Sequence, residues 1–246
     1  MYPILFKIGT LTIYTYGFFV FLGILTGYLF SLKEANHYQF KKEVVSDLIF
    51  WAIIAGFISS RVGYIIINWK EFLDKPLEFI ISPAGFVFYA GLIGGLIFIL
   101  IFIKRKDLPL LKTLDFLSAP VVLAHSIGRI GCFFYGCCYG KPTNSFLGIK
   151  FPPSSPAGAL GVRVIPTQLI SSFFLLMIFV ILLFIRDRKP VQGRIFFSYI
   201  TLYSIFRFII EFYRGDSRGY FLSLSTGQWL SLGLLLLSTI FWLRKH

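Results

Sequence analysis

Within His125–Gly140, which reads HSIGRIGCFFYGCCYG, one arginine and one histidine stand among glycines and aromatics, and all three cysteines of the chain fall in the same run. An arginine in an apolar setting costs several kcal/mol unless a polar or anionic group meets it, so Arg129 asks for a partner. His125 precedes it by four residues, a spacing that puts both side chains on one helix face. Guanidinium offers a planar fork of donors that matches phosphate, and imidazole can move a proton near neutral pH. The plainer alternative is that Arg129 snorkels to an interface and His125 packs.

A second group lies in RFIIEFYR, where Arg207, Glu211 and Arg214 fall at i, i+4 and i+7. At that spacing the three side chains share a helix face, and the carboxylate can hold an arginine fork while spare donors meet a phosphate. The alternative is an ion-pair staple between helices. Arg61 reads either as a third phosphate contact or as a link to Glu211. Tyr16 and Tyr89 each open an apolar run and fit an aromatic belt as readily as a polar cavity.

Cys132, Cys137 and Cys138 read first as small apolar filler. Zinc usually takes four ligands, and His125 would be the lone fourth candidate, so no metal is expected. Adjacent cysteines pair only with strain, and no base is fixed beside a reactive thiol.

The elements that must carry these residues follow from composition. Of 246 residues 57% are hydrophobic, 30 are phenylalanine and only 14% are charged, against about 25% charged in an average soluble domain. The reading is an all-α polytopic membrane protein, one transmembrane domain over 1–246. Seven spans are expected near 10–31, 46–68, 84–103, 114–135, 166–185, 195–213 and 225–243. The first is too long for a signal-peptide core and is taken as a permanent helix. Gly91, Gly94 and Gly95 should let helices approach closely. The apolar stretch before Pro83 reads as a short helix in the outer interface.

Charge sets the orientation. Thirteen lysines and arginines fall in the stretches 33–42, 104–112, 186–194 and 244–245, and eight fall on the opposite side. The richer side should be cytoplasmic, which places the N-terminus outside and the C-terminus inside. The net charge of +13 is thereby a matter of topology, with no basic domain for nucleic acid. The Pro- and Gly-rich connection at about 136–165 is then extracytoplasmic, as a functional flap or a structured arm. With Arg214 near the outer end and Arg207 deeper, the positive stripe suits an anionic lipid headgroup.

Several ordered motifs carry a resemblance over essentially the whole chain: Tyr16-Gly17, GRIG at Gly128–Gly131, YGKPT at Tyr139–Thr143, PTQL at Pro166–Leu169, RFIIEFYR at Arg207–Arg214 and LSTGQWLSL at Leu224–Leu232. On these the chain resembles the prolipoprotein diacylglyceryl transferase family. Those enzymes move diacylglyceryl from phosphatidylglycerol onto the lipobox cysteine of bacterial prolipoproteins. The resemblance implies seven spans, the bacterial cytoplasmic (inner) membrane and a site toward its extracytoplasmic side. The implied partners are phosphatidylglycerol and a prolipoprotein signal peptide, acting on a monomer with no cofactor.

By matching residues, the family's essential tyrosine falls on Tyr16, its signature arginine on Arg129 and its second key arginine on Arg207. Glu211, Arg214 and Arg61 complete the lipid contacts, with Gly131 and Cys132 beside the signature arginine. The family's span-three H-G-G is here Tyr89-Ala90-Gly91, and its G-N-F-x-N-G-E is here Gly131-Cys132-Phe133-Phe134-Tyr135-Gly136-Cys137. A histidine and a glutamate flanking PTQL are replaced by Ile165 and Ser171. With the usual histidine gone, His125, Tyr16 or Tyr89 is left to handle the proton. Two other readings stay open: a member using another acceptor or lipid, and a non-catalytic binder of anionic lipid.

Overall fold

The computed structural model describes residues 4–9, 11–81, 85–188, 190–216 and 219–244. Pro83, Lys189, Arg218 and Lys245, which enter the loop and charge assignments above, lie outside the described residues. The chain begins with an antiparallel hairpin, β1 (Ile4–Ile8) and β2 (Leu11–Tyr14), and runs directly into α1 (Thr15–Glu34). Then come α2 (Lys42–Ile67), two short helices α3 (Trp69–Asp74) and α4 (Pro76–Ile81), α5 (Phe88–Arg105) and α6 (Leu110–Tyr135). A connection carries β3 (Ile149–Lys150) and β4 (Arg163–Val164), followed by α7 (Thr167–Asp187), α8 (Arg194–Glu211), the small pair β5 (Tyr220–Phe221) and β6 (Leu224–Ser225), and α9 (Thr226–Arg244).

Polarity is arranged inside out. Phe21, Ile58, Ile66, Leu92, Phe173 and Leu236 are exposed, while Ser31, Ser60, Thr113, Ser118, Thr167, Gln168, Ser204 and Glu211 are buried. A soluble fold does the reverse; lipid-facing helices show apolar surface outward and pack small polar residues inward. Six helices among the described residues, α1, α2, α5, α6, α7 and α9, are long and apolar enough to cross a membrane. Each of the seven stretches expected to span holds one long helix. The remaining one, α8, has 18 residues, or about 27 Å, but carries Arg194, Arg207 and Glu211 and falls outside that set. The chain is a multi-pass membrane protein.

Two compact units divide it: residues 31–113, and residues 1–30 with 114–246. In the first, α2 and α5 pack through small residues. A methyl at Gly91 would sit 3.0 Å from Ser60 Cβ, and one at Gly94 would collide with the Ser59 side chain. Gly91 and Gly94 thus do permit the close contact expected of them. Ser60 Oγ also donates to Val87 O at 3.0 Å. The apolar stretch before Pro83 is helical, as α4.

In the second unit α1 meets α6 through Gly23 and Gly27, whose added Cβ atoms would lie 2.7 Å from Ala124 O and 3.1 Å from Pro120 O. Phe19 stacks on Phe134 at 5.2 Å and Phe30 meets Phe179 of α7. Phe174 of α7 stacks on Phe206 of α8, and Phe197 of α8 on Phe241 of α9. Asp115 sets the height of α8. Its buried carboxylate accepts N–H bonds from Gly193 and Phe196 at 2.6 and 2.7 Å, which caps the helix start and satisfies donors left open there.

The 136–165 connection is a structured arm. β3 pairs with β4, Phe151, Ala157 and Val164 form a small core, and Phe133, Tyr139 and Ile149 pack against it. Arg163 Nε donates to Gly148 O at 2.9 Å.

Candidate functional site

Five helix ends of the second unit meet at one place, and local sequence decides each. Helix α6 ends at Tyr135 because Gly136, at φ 80°, leaves the helical region. Gly131 on its last turns lies against the start of α1, where an added Cβ would stand 2.9 Å from Phe19 Cβ and 3.2 Å from Tyr16 O. The start of α7 grips the turn beyond α6, with Thr167 Oγ1 donating to Cys138 O and Gln168 Nε2 to Cys137 O, both at 2.7 Å. The start of α9 is fixed by a reciprocal box. Ser225 N–H donates to Gln228 Oε1 at 2.9 Å and Gln228 N–H to Ser225 Oγ at 3.2 Å, the pattern that satisfies two first-turn donors at once.

That same α9 start abuts the end of α8. A Cβ on Gly227 would lie 2.9 Å from Arg207 Nη2 and 3.2 Å from Glu211 Oε1. Lys141 N–H donates to Tyr213 O and Gly215 N–H to Tyr139 O, stitching the turns after α6 and α8 together. Three helix N-termini (α1, α7 and α9) therefore stand at the end where Arg129, Arg207 and Arg214 are found. Their dipoles add positive potential and favour an anion.

Depth places Arg129 and Arg207 at one level. Asp115 of α6 holds the first turn of α8, so both helices are measured from one mark. Arg129 is fourteen residues beyond Asp115 and Arg207 thirteen beyond Arg194, or about 21 and 20 Å of rise. One turn before each, His125 and Tyr203 face each other with ring centroids 5.7 Å apart.

The three arginines differ in their partners. Arg129 Nε donates to His125 Nε2 at 3.1 Å, and among the described residues no carboxylate pairs with it. Arg207 Nη2 pairs with Glu211 Oε2 at 2.8 Å, and the Glu211 side chain is 2% exposed. Arg214 departs from expectation. Because α8 stops at Glu211, Arg214 lies beyond the helix and does not continue its face. It forms instead a two-pronged pair with Asp216, Nε to Oδ1 at 2.8 Å and Nη2 to Oδ2 at 2.7 Å. Burial pushes the Asp216 carboxyl up against the pull of Arg214.

His125 is the acceptor in its bond to Arg129, so it is neutral with its Nε2 lone pair already engaged. Tyr16, on the first turn of α1, is half exposed and has its ring 6.2 Å from that of Tyr135. Arg61 and Tyr89 belong to the other unit. Arg61 donates from Nη1 to Gly85 O at 2.9 Å and from Nη2 to Phe79 O, and lies over the rings of Tyr64 and Phe86. Those bonds clasp the connection between α4 and α5. Tyr89 lies on the first turn of α5, 46% exposed, with its ring edge-on to Phe88.

The three cysteines, read as filler, converge. Their Sγ atoms lie within 4.8 Å of one another and none forms a disulfide. Hydrogen bonds from the Cys132 and Cys137 thiols, helped by the Arg214 and Arg129 charges, hold Cys138 well below the ordinary thiol range. Its bonds to Cys132 and Cys138, and then burial, push Cys137 up. Thr167, Gln168, Asp115 and Asp216 are positioning residues that the sequence reading did not single out. Only the PTQL motif signalled the first two.

A family model described as Prolipoprotein diacylglyceryl transferase matches residues 3–244 of this chain. The chain is 37% identical over 232 residues to the phosphatidylglycerol–prolipoprotein diacylglyceryl transferase of Clostridium tetani, covering 94% of this chain and 93% of that one. It is 36% identical over 234 residues to transferase 2 of Clostridium perfringens, covering 95% and 91%. Against the Lactobacillus acidophilus transferase it is 34% identical over 251 residues, covering 99% and 90%.

Proposed function

The chain belongs to the prolipoprotein diacylglyceryl transferase family, and from that premise we propose that it transfers diacylglyceryl from phosphatidylglycerol to the lipobox cysteine of a prolipoprotein. The observation that carries this reading is the pair Arg129 and Arg207, brought to one depth on α6 and α8 beneath three helix N-termini. The lipid brings one phosphate, and the reaction leaves that phosphate on glycerol.

The acceptor supplies the nucleophile. Its sulfur attacks the glycerol C3 carbon, the C3–O bond breaks, and the bonding pair leaves on glycerol phosphate. Negative charge thus gathers on the leaving oxygen, where donors placed beforehand lower the barrier by about 3–4 kcal/mol each. Arg129 presents its Nη groups, with His125 holding Nε. Arg207 is aimed by Glu211, whose buried carboxylate fixes one prong and leaves others for the phosphate. In this reading α8 also spans, bringing the total to seven, the N-terminus is outside, and the site opens to the extracytoplasmic leaflet of the bacterial cytoplasmic membrane. The 136–165 arm meets the incoming peptide, and Tyr16 faces the same space from α1.

Complementation tests it: a conditional strain lacking its own transferase should grow and lipidate its lipoproteins when supplied with this chain. Growth failure with the protein stably present in the membrane would sink the reading.

A further inference from the structure

The transfer reaction as drawn leaves Cys132, Cys137 and Cys138 without a role and gives the acceptor thiol no group to take its proton. The three Sγ atoms lie within 4.8 Å of one another. Zinc holds thiolates at about 2.3 Å, which in a tetrahedral array sets sulfur–sulfur distances of about 3.8 Å. Closure onto such an ion therefore needs a shift of about 1 Å or less.

The backbone keeps the thiols together. Cys132 sits on the last turn of α6, and Gly136 and Cys138 take positive φ values of 80° and 61°, which fold the following thiols back over the helix end. A cysteine in that left-handed region is uncommon and marks a constrained turn. Thr167 and Gln168, both without exposed surface, fix the Cys138 and Cys137 carbonyls. Gly136 O accepts from Ala157 N–H at 2.9 Å, and a Cβ at Gly136 would meet Ser155. All three cysteines are partly exposed residues.

Among the described residues no fourth His, Cys, Asp or Glu joins the group. His125 is held by Arg129 instead. Structural zinc sites are closed by four protein ligands, whereas catalytic ones keep a position open. Three thiolates on a divalent cation carry net negative charge. Arg129, three residues before Cys132 on one helix, suits it.

We propose that Cys132, Cys137 and Cys138 form a three-thiolate site for a thiophilic cation of the zinc class, whose open fourth position takes the acceptor's thiol. This rests on the transfer reaction above and gives it a source of thiolate. A thiol that coordinates such an ion is deprotonated outright. The acceptor's S–H proton goes to water, its sulfur lone pair forms the S–C bond at glycerol C3, and the C3–O bond pair leaves with glycerol phosphate beside Arg129. No atom changes oxidation state, and no further reactant is needed.

The test uses the full chain, tag-free and reduced, in detergent. Titration with Cd(II) should give a sulfur-to-cadmium absorption that saturates near about one equivalent, and Zn(II) should displace it. Zn(II) should also protect the three thiols from alkylation. Cys132→Ser and Cys137→Ser should each lose the absorption, whereas Arg129→Ala should keep it and lose transfer. Absence of the absorption, or alkylation of all three thiols at the same rate with and without Zn(II), overturns the site. A disulfide in the protein purified without reductant that persists in saturating zinc does so too. Chelation should abolish transfer and Zn(II) restore it; transfer that survives complete metal removal overturns the role in thiol activation while leaving the diacylglyceryl reading in place. Metal binding with no transfer under any condition would remove that reading and not the site.

Discussion

Arg129 Nε donates to His125 Nε2 at 3.1 Å across one turn of α6, so the one acceptor nitrogen of a neutral imidazole is taken up in aiming a guanidinium. For the transfer proposed above, this bond assigns His125 the work of positioning Arg129 and leaves the acceptor's proton to another group.

His125→Ala should lower turnover by about 10- to 100-fold through misplacement of Arg129. His125→Gln, which offers an acceptor oxygen, should recover much of it. The shape of the pH–rate profile should be the same in all three proteins. Measured with labelled lipid and a lipobox peptide, a profile that loses a limb in His125→Gln would return the imidazole to acid–base work.

Glu211 is the buried partner of Arg207 at 2.8 Å. Removing one member of a buried pair costs about 3–5 kcal/mol because the other is left unpaired. Glu211→Ala should therefore lower thermal stability in detergent and abolish transfer. Glu211→Gln should keep the fold and lose most activity. Wild-type melting and turnover in Glu211→Ala would mean that the pair is incidental.

Gly227→Ala brings a methyl 2.9 Å from Arg207 Nη2 and 3.2 Å from Glu211 Oε1. The side chains must yield, so the variant should fold normally yet bind the lipid phosphate less well, read as a higher KM for phosphatidylglycerol. An unchanged KM would show that the fork tolerates displacement.

Asp115 sits far from the arginines, yet its two bonds to Gly193 and Phe196 set the height of α8. Asp115→Ala leaves two helix-start donors open at a cost of about 1–2 kcal/mol. Asp115→Asn, with one acceptor oxygen, should fall between it and wild type in thermal unfolding. Equal melting temperatures in all three would remove Asp115 from the account.

The long helices were legible because an apolar run of that length leaves a membrane segment few alternatives, and each expected span holds one. The hairpin was not: LTIY of β2 continues straight into α1, so its apolar residues read as the start of the span. Arg214 was placed on the face of α8 because a spacing rule assumes that the helix continues, and nothing in FYRG announces a stop at Glu211. Its true partner, Asp216, lies just past Gly215, where the chain passes against Gly140. Asp115 could not be read at all as a cap, since its donors lie 78 and 81 residues away in the chain. The cysteine cluster depends on two left-handed residues, Gly136 and Cys138, and the residue type at the second gives no sign of it. Arg129 and Arg207 were legible as charges that need a reason. Their common depth was not, because it follows from the Asp115 tether and the His125–Tyr203 contact.

The direct measure is the initial rate of labelled diacylglyceryl transfer from phosphatidylglycerol to a lipobox peptide by wild type, Arg129→Ala and Arg207→Ala, each confirmed folded by its melting curve. Two guanidinium groups acting on one phosphate predict that either substitution alone drops the rate to background. Normal incorporation in either folded variant would contradict it.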